Sequence, residues 1–145
     1  MPDALGGTLE TILVVDDNEA VVSVVAAMLS AANFRVFSAH SGGGAIKLAK
    51  ETKARIDLLL SDVDMPIMSG TDLGELLKKT RPDILVMLMS GGNNSGNLLM
   101  LKYGWAYIQK PFLTVKLVQM VTEVLHSKDR SQLGCREFAS PGEYS

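Results

Sequence analysis

The chain has 145 residues, room for one ordinary domain, and 47% of them are hydrophobic against 21% charged, which excludes a disordered chain and supplies a core. With 14 Lys and Arg against 16 Asp and Glu, the net charge of −2 excludes a general electrostatic affinity for nucleic acid or anionic membrane. Cys135 is the only cysteine and His40 and His126 the only histidines, so an intrachain disulfide is excluded and a Cys- or His-rich metal site has too few ligands. No basic-then-apolar leader opens the sequence, and no apolar run approaches the roughly 20 residues of a membrane helix. The sequence therefore predicts a soluble, cytoplasmic protein.

Residues 1–9 are Gly-containing and unpatterned, an N-terminal extension. Ile12-Leu13-Val14-Val15 is a run apolar on both faces, closed by Asp16-Asp17, as in a buried strand of a parallel sheet. Over 18–32, apolar residues recur at Val21, Val22, Val25, Met28, Leu29 and Ala32, the spacing of a helix that Asn18 can cap and Asn33 can end. Strand two is expected over 35–39, and Ser41-Gly42-Gly43-Gly44 opens a second helix reaching residue 52. Strand three, 56–61, ends at Asp62. Pro66 fixes its own φ and restricts Met65, so 64–70 reads as a loop. A third helix follows over 71–80 with Leu73, Leu76 and Leu77 inward, and strand four, 84–89, stops at Ser90.

Gly91-Gly92-Asn93-Asn94-Ser95-Gly96 is rich in helix breakers, so a fourth helix is expected to be short, over 97–103. Ala106-Tyr107-Ile108-Gln109 makes strand five, followed by Lys110-Pro111. A fifth helix over 114–127 is expected to bury Val115, Val118, Val121, Val124 and Leu125. Residues 128–145 are polar and without period and read as a flexible tail. The methionines at 65, 68, 87, 89, 100 and 120 suit core packing better than ligation. Five βα units over 10–127 predict one α/β domain, a parallel sheet with helices on both faces and a ligand site at the carboxyl ends of its strands.

Four of those strand ends carry reactive groups: Asp16 and Asp17, Asp62, Ser90, and Lys110. Each alone has an ordinary explanation as a cap, a strand end or a turn, but the topology brings all five to one edge. Three converging carboxylates repel one another unless a cation lies between them, and hard oxygen ligands favour Mg²⁺. A carboxylate such as Asp62 can attack a phosphoryl group to form an acyl phosphate. Lys110 offers positive charge to the phosphoryl oxygens and the Ser90 hydroxyl a donor. The constellation suits phosphoryl transfer to an aspartate.

Ile12-Leu13-Val14-Val15-Asp16-Asp17-Asn18-Glu19, Asp57-Leu58-Leu59-Leu60-Ser61-Asp62-Val63-Asp64-Met65-Pro66 and Tyr107-Ile108-Gln109-Lys110-Pro111-Phe112 together resemble the receiver domain of two-component response regulators over 10–127. The resemblance implies a flavodoxin-like fold with strand order 2-1-3-4-5. It implies Asp62 as phospho-acceptor, Mg²⁺ held by Asp17, Asp62 and the backbone carbonyl of Asp64, with Asp16 acting mainly through water. Lys110 would contact the phosphoryl group, its bond to Pro111 would be cis, and Ser90 and Tyr107 would be the switch pair. Phosphorylation would change the face formed by the fourth helix, the fifth strand and the fifth helix. The implied partners are a sensor histidine kinase or histidine phosphotransfer protein and a downstream protein target, with no direct contact to nucleic acid or membrane. The implied state is a monomer or a phosphorylation-linked dimer. Such a protein is not an enzyme on a separate substrate and catalyses only its own phosphorylation and dephosphorylation.

The spacings from Asp62 to Ser90 and from Ser90 to Lys110 are slightly short for this family, with the missing length around 91–97. Asp64 and Gly92 stand at positions that border the phosphoryl group in the family, where Asp64 is expected to tune its lifetime. Asp62-Val63-Asp64 also resembles the nucleophile motif of haloacid-dehalogenase-type phosphatases, but their second acidic cluster lies downstream and Asp16-Asp17 lies upstream. A phosphorylation-independent docking module would need none of the five strand-end residues. A flavodoxin-type flavin site needs amides and hydroxyls after strand one, where this chain is acidic.

Overall fold

A computed structural model describes residues 9–91 and 102–138, with side chains described as far as residue 127. In chain order it contains β1 (Thr11–Val15), α1 (Glu19–Ala31), β2 (Arg35–Ala39), α2 (Gly42–Glu51), β3 (Leu58–Asp62), α3 (Gly70–Thr80), β4 (Leu85–Ser90), β5 (Ala106–Gln109) and α4 (Thr114–Phe138). All strand pairings are parallel, in the order β2-β1-β3-β4-β5. This is the flavodoxin-like arrangement that the resemblance implies, with its topological switch point between β1 and β3.

The strands are apolar on both sides because both sides are covered. Ile12, Val14, Leu58, Leu60, Met87 and Met89 point to the layer of α1 and α4, where they meet Val22, Val25, Leu29, Leu117, Val121, Val124 and Leu125. Leu13, Val15, Leu59, Val86 and Leu88 point the other way, onto Ala45 and Ala49 of α2 and Leu73 and Leu77 of α3. The period-2 alternation of a strand thus divides one continuous apolar run between two cores.

Local chemistry sets the helix ends. Asn18, Ser41 and Ser69 cap α1, α2 and α3, each side chain accepting from backbone N–H groups of the first turn. Past the end of α1, Asn33 takes φ 73° and Phe34 N–H donates to the Leu29 carbonyl at 3.1 Å, a left-handed stop. Gly74, unusual in mid-helix, lies under the Trp105 ring, which a Cβ there would approach within 2.9 Å. Tyr103 stacks on Trp105 at 4.4 Å. A glycine in α3 therefore lets an aromatic pair close on the helix before β5 begins.

The structure corrects several expectations. Val115 is 75% exposed, and Leu117 takes the core position instead. On α4 the core stripe is 117, 121, 124 and 125, and a residue two before 117 lies about 200° round the helix. Leu76 is likewise exposed, because 73 and 77 already define the inward face of α3. Helix α4 runs on to Phe138, through residues expected to be tail. Residues 128–138 contain no proline and are mostly good helix formers, so the helix continues by propensity without an apolar stripe to announce it. β3 begins at Leu58 and β4 at Leu85, later than expected; Ile56 and Ile84 are buried like strand residues but lie just outside the strands. The expected fourth helix lies, over 97–101, outside the described residues, as do Gly92, Met100, residues 1–8 and 139–145. Among the described residues, no helix is long and apolar enough to cross a membrane.

Candidate functional site

The parallel register places the strand ends side by side. Val15 of β1 is level with Ser61, Asp62 with Met89, and Ser90 with Gln109. Backbone bonds continue this ladder beyond the strands: Asp16 N–H to the Ala39 carbonyl, Val63 N–H to that of Met89 at 3.0 Å, and Lys110 N–H to that of Ser90 at 2.7 Å. The backbone at Asp16, Asp62, Ser90 and Lys110 is thereby held by sheet hydrogen bonds.

Asp16, Asp17 and Asp62 each bring a carboxylate oxygen to within 4.8 Å of the others'. Asp16 is 1% exposed and Asp62 7%, while Asp17 is open to solvent. Lys110 Nζ donates to Asp16 Oδ2 at 2.8 Å and to Asp62 Oδ1 at 3.1 Å. The other Asp16 oxygen accepts from Asn18 N–H at 2.9 Å, so both its oxygens are engaged. The Lys110-Pro111 bond is cis. Ser90 is 1% exposed, and its Oγ is a buried polar atom with no hydrogen-bond partner among the described residues. Tyr107 is half-buried in β5 and packs against the core on the α2 and α3 side. Asp64 is exposed.

The electrostatics follow from this crowding. Burial, then the neighbouring Asp16 charge, pushes the Asp62 carboxyl above the ordinary aspartate value, and the hydrogen bond and charge of Lys110 only partly oppose that. Burial would lower the Lys110 ammonium, but its hydrogen bonds to Asp16 and Asp62 and their charges together hold it above the ordinary lysine value. One ammonium faces three carboxylates, so the cluster keeps a surplus of negative charge. All three donors are hard oxygens, the ligand set that Mg²⁺ takes, and Ser90 ends the strand that pairs with the one carrying Asp62.

Every strand-end residue singled out in the sequence arrives at this edge. Gly70 carries a role the sequence reading missed. It opens α3 against the Asp62 backbone, where a Cβ would overlap the Asp62 carbonyl, and its N–H donates to the Val63 carbonyl at 2.9 Å. A glycine at the first turn of a helix, where most residues are better helix formers, was the available signal.

A family model described as the response regulator receiver domain matches residues 12–122. The chain belongs to the response regulator receiver domain family. Among curated relatives, the transcriptional regulatory protein CpxR of Escherichia coli (strain K12) is 33% identical over 125 residues, covering 86% of this chain and 53% of CpxR. Sensor kinase CckA of Brucella abortus (strain 2308) is 33% identical over 123 residues, covering 82% of this chain and 13% of CckA. The receiver thus spans about half or less of these relatives. Among solved structures, a CheY-like response regulator receiver domain protein from Methanospirillum hungatei JF-1 is 29% identical, with a TM-score of 0.74 over 86% of this chain and 99% of that one. A receiver domain protein from Clostridium thermocellum is 26% identical, with a TM-score of 0.72 over 86% of this chain and 98% of that one. The protein is therefore a two-component signalling receiver, a type of module that is in general not an enzyme.

Proposed function

We propose that this receiver accepts a phosphoryl group on Asp62 and uses it to shift the conformation of a protein-binding face. The observation that carries this reading is the meeting of Asp62 with Asp16, Asp17 and Lys110, beside a Ser90 hydroxyl without a partner. An oxygen of the Asp62 carboxylate attacks the phosphorus of a phosphohistidine; the P–N bond breaks and its electron pair leaves with the imidazole. Asp17, Asp62 and the Asp64 backbone carbonyl would hold Mg²⁺, with Asp16 acting mainly through water. When bound, the ion supplies positive charge to the phosphoryl oxygens. That both Asp16 oxygens already accept hydrogen bonds supports its indirect part.

Once Asp62 carries the phosphoryl group, Lys110 transfers its contact to a phosphoryl oxygen and the Ser90 hydroxyl donates to another. Movement of Ser90 opens space into which the Tyr107 ring turns, and the face around β5 and α4 changes shape. The donor is a sensor histidine kinase or a histidine phosphotransfer protein, and the reader of the face is a downstream protein. The receiver works in the cytoplasm without binding nucleic acid or membrane, and its only catalysis is that of its own phosphorylation and dephosphorylation.

Titration of isotope-labelled receiver with beryllofluoride, a phosphoryl mimic, in the presence of Mg²⁺ tests this. Saturable amide shifts at Ser90, Tyr107 and Lys110, absent in Asp62→Asn, are expected. An unchanged spectrum would favour the phosphorylation-independent docking module instead.

A further inference from the structure

Trp105, the one tryptophan of the chain, is anchored by two neighbours. The far edge of its indole rests in a notch that Gly74 leaves in α3, where a Cβ would lie 2.9 Å from both Cη2 and Cζ3 of the ring. Tyr103 stacks on it with ring centres 4.4 Å apart and planes 15° from parallel, and Lys102 Nζ lies 5.2 Å from the centre of the Tyr103 ring. Between the two aromatics Gly104 takes φ 72°, a left-handed conformation that turns the chain where their faces meet. A glycine inside a helix weakens it, so the notch is kept at a cost to α3.

The strand register shows what this anchor adjoins. Side chains alternate across a strand, so Val86, Leu88 and Ser90 of β4 share one face with Tyr107 of β5 and with Trp105, which leads into β5. Leu88 is level with Tyr107, and Ser90 with Gln109. Tyr107 therefore has Ser90 on the diagonal toward the acidic site, and Trp105 roughly 7 Å away along its own chain in the opposite direction. Both rings pack against the core on the side of α2 and α3.

We propose that Trp105 is a positioning residue of the switch and acts through Tyr107. The inference rests on the reading that phosphorylated Asp62 draws the Ser90 hydroxyl toward it. With the indole wedged against Gly74, the end of the patch away from Ser90 is filled. The Tyr107 ring then turns into the space that Ser90 vacates, and the two movements become one event. Without the indole, Tyr107 settles into the space beside it and no longer waits for Ser90.

The test is titration of the full chain, fluorotyrosine-labelled at its three tyrosines, with beryllofluoride and Mg²⁺. In the wild type the Tyr107 fluorine resonance, assigned by its loss in Tyr107→Phe, should shift together with the Ser90 and Lys110 amides. In Trp105→Ala those amides should still shift. Its Tyr107 resonance should be displaced before the mimic is added and should lose most of the further shift. Trp105→Phe, which can still stack on Tyr103, should restore the coupled response; a general loss of stability would not separate Tyr107 from Ser90 in this way. Gly74→Ala keeps the indole and adds a better helix former while pushing the ring from its notch, and should reduce the Tyr107 shift in the same direction. A Tyr107 shift of wild-type size in Trp105→Ala, or a loss that Trp105→Phe does not restore, would overturn the proposal. If Trp105→Ala does not fold, an undiminished Tyr107 shift in Gly74→Ala would overturn it equally. A wild type in which Ser90 and Lys110 fail to respond would instead remove the underlying reading, and the proposal with it.

Discussion

The Lys110 ammonium lies 3.1 Å from the Asp62 carboxylate it contacts, yet the carboxyl remains above the ordinary aspartate range because burial and Asp16 outweigh the lysine. The ionised form of Asp62 therefore opposes folding. In EDTA at neutral pH, Asp62→Asn should stabilise the receiver by about 1 kcal/mol, or roughly 3–6 °C in thermal midpoint. The sign follows from linkage. A folded value above the unfolded one imposes a penalty that is complete above the folded value and disappears as pH falls through it toward the unfolded value. The advantage of Asp62→Asn should accordingly shrink in acid, as melting curves at neutral pH and near pH 4 can establish. Added Mg²⁺ should raise the midpoint of the wild type more than that of the variant.

Ser90 makes the opposite kind of prediction. Its buried hydroxyl has no partner among the described residues, so Ser90→Ala removes an unsatisfied polar group and leaves stability unchanged or improved by up to about 1 kcal/mol. The same variant should still accept a phosphoryl group but lose the Tyr107 amide shift on beryllofluoride binding. Denaturant melts and amide spectra read the two effects separately. A strongly destabilised Ser90→Ala would contradict an unpartnered hydroxyl.

Gly70→Ala should harm fold and site together. The added methyl overlaps the Asp62 carbonyl, a backbone atom that cannot rotate away, so α3 or the end of β3 must shift. A loss of about 2–3 kcal/mol in urea unfolding is expected, along with slower phosphorylation because Asp62 itself is displaced. Gly43→Ala in α2, where an added Cβ meets nothing, is the control and should be neutral or stabilising.

These residues also show what could be read in the sequence. The five strands and the convergence of Asp16, Asp17, Asp62, Ser90 and Lys110 were legible, because apolar runs closed by polar residues and separated by helical spacing admit few topologies, whereas the strand order came from the resemblance to receiver domains. Helix faces were less legible. On α4 the apolar residues 115, 117, 118, 121, 124 and 125 allow more than one stripe, and only docking against the sheet selects Leu117 over Val115. Close approaches were not legible at all. The contacts of Gly70 with Asp62 and of Gly74 with Trp105 join segments whose spacing in three dimensions no local pattern encodes. The left-handed turn at Ile67 contradicts the propensity of its own residue, so no local pattern announces it; the turn seats Met68 against Gly42 of α2.

Asp64 is exposed two residues after the acceptor, free to act on the phosphorylated state without disturbing the core. Its charge can repel the phosphoryl dianion or disturb the hydrolytic water. Asp64→Asn should leave the thermal midpoint within about 1 °C, given a surface change of under roughly 0.5 kcal/mol. It should change the decay rate of phosphorylated protein several-fold. An unchanged decay constant would exclude that role for Asp64.

Phosphoryl transfer to Asp62, with Mg²⁺ as cofactor, is the event on which the proposed function rests. Its most direct test is the intact mass of the receiver after incubation with Mg²⁺ and a small phosphodonor such as acetyl phosphate. One phosphoryl adduct is expected, dependent on Mg²⁺ and absent in Asp62→Asn. An adduct that persists in Asp62→Asn, or its absence from wild-type protein that also fails to bind beryllofluoride, would contradict it.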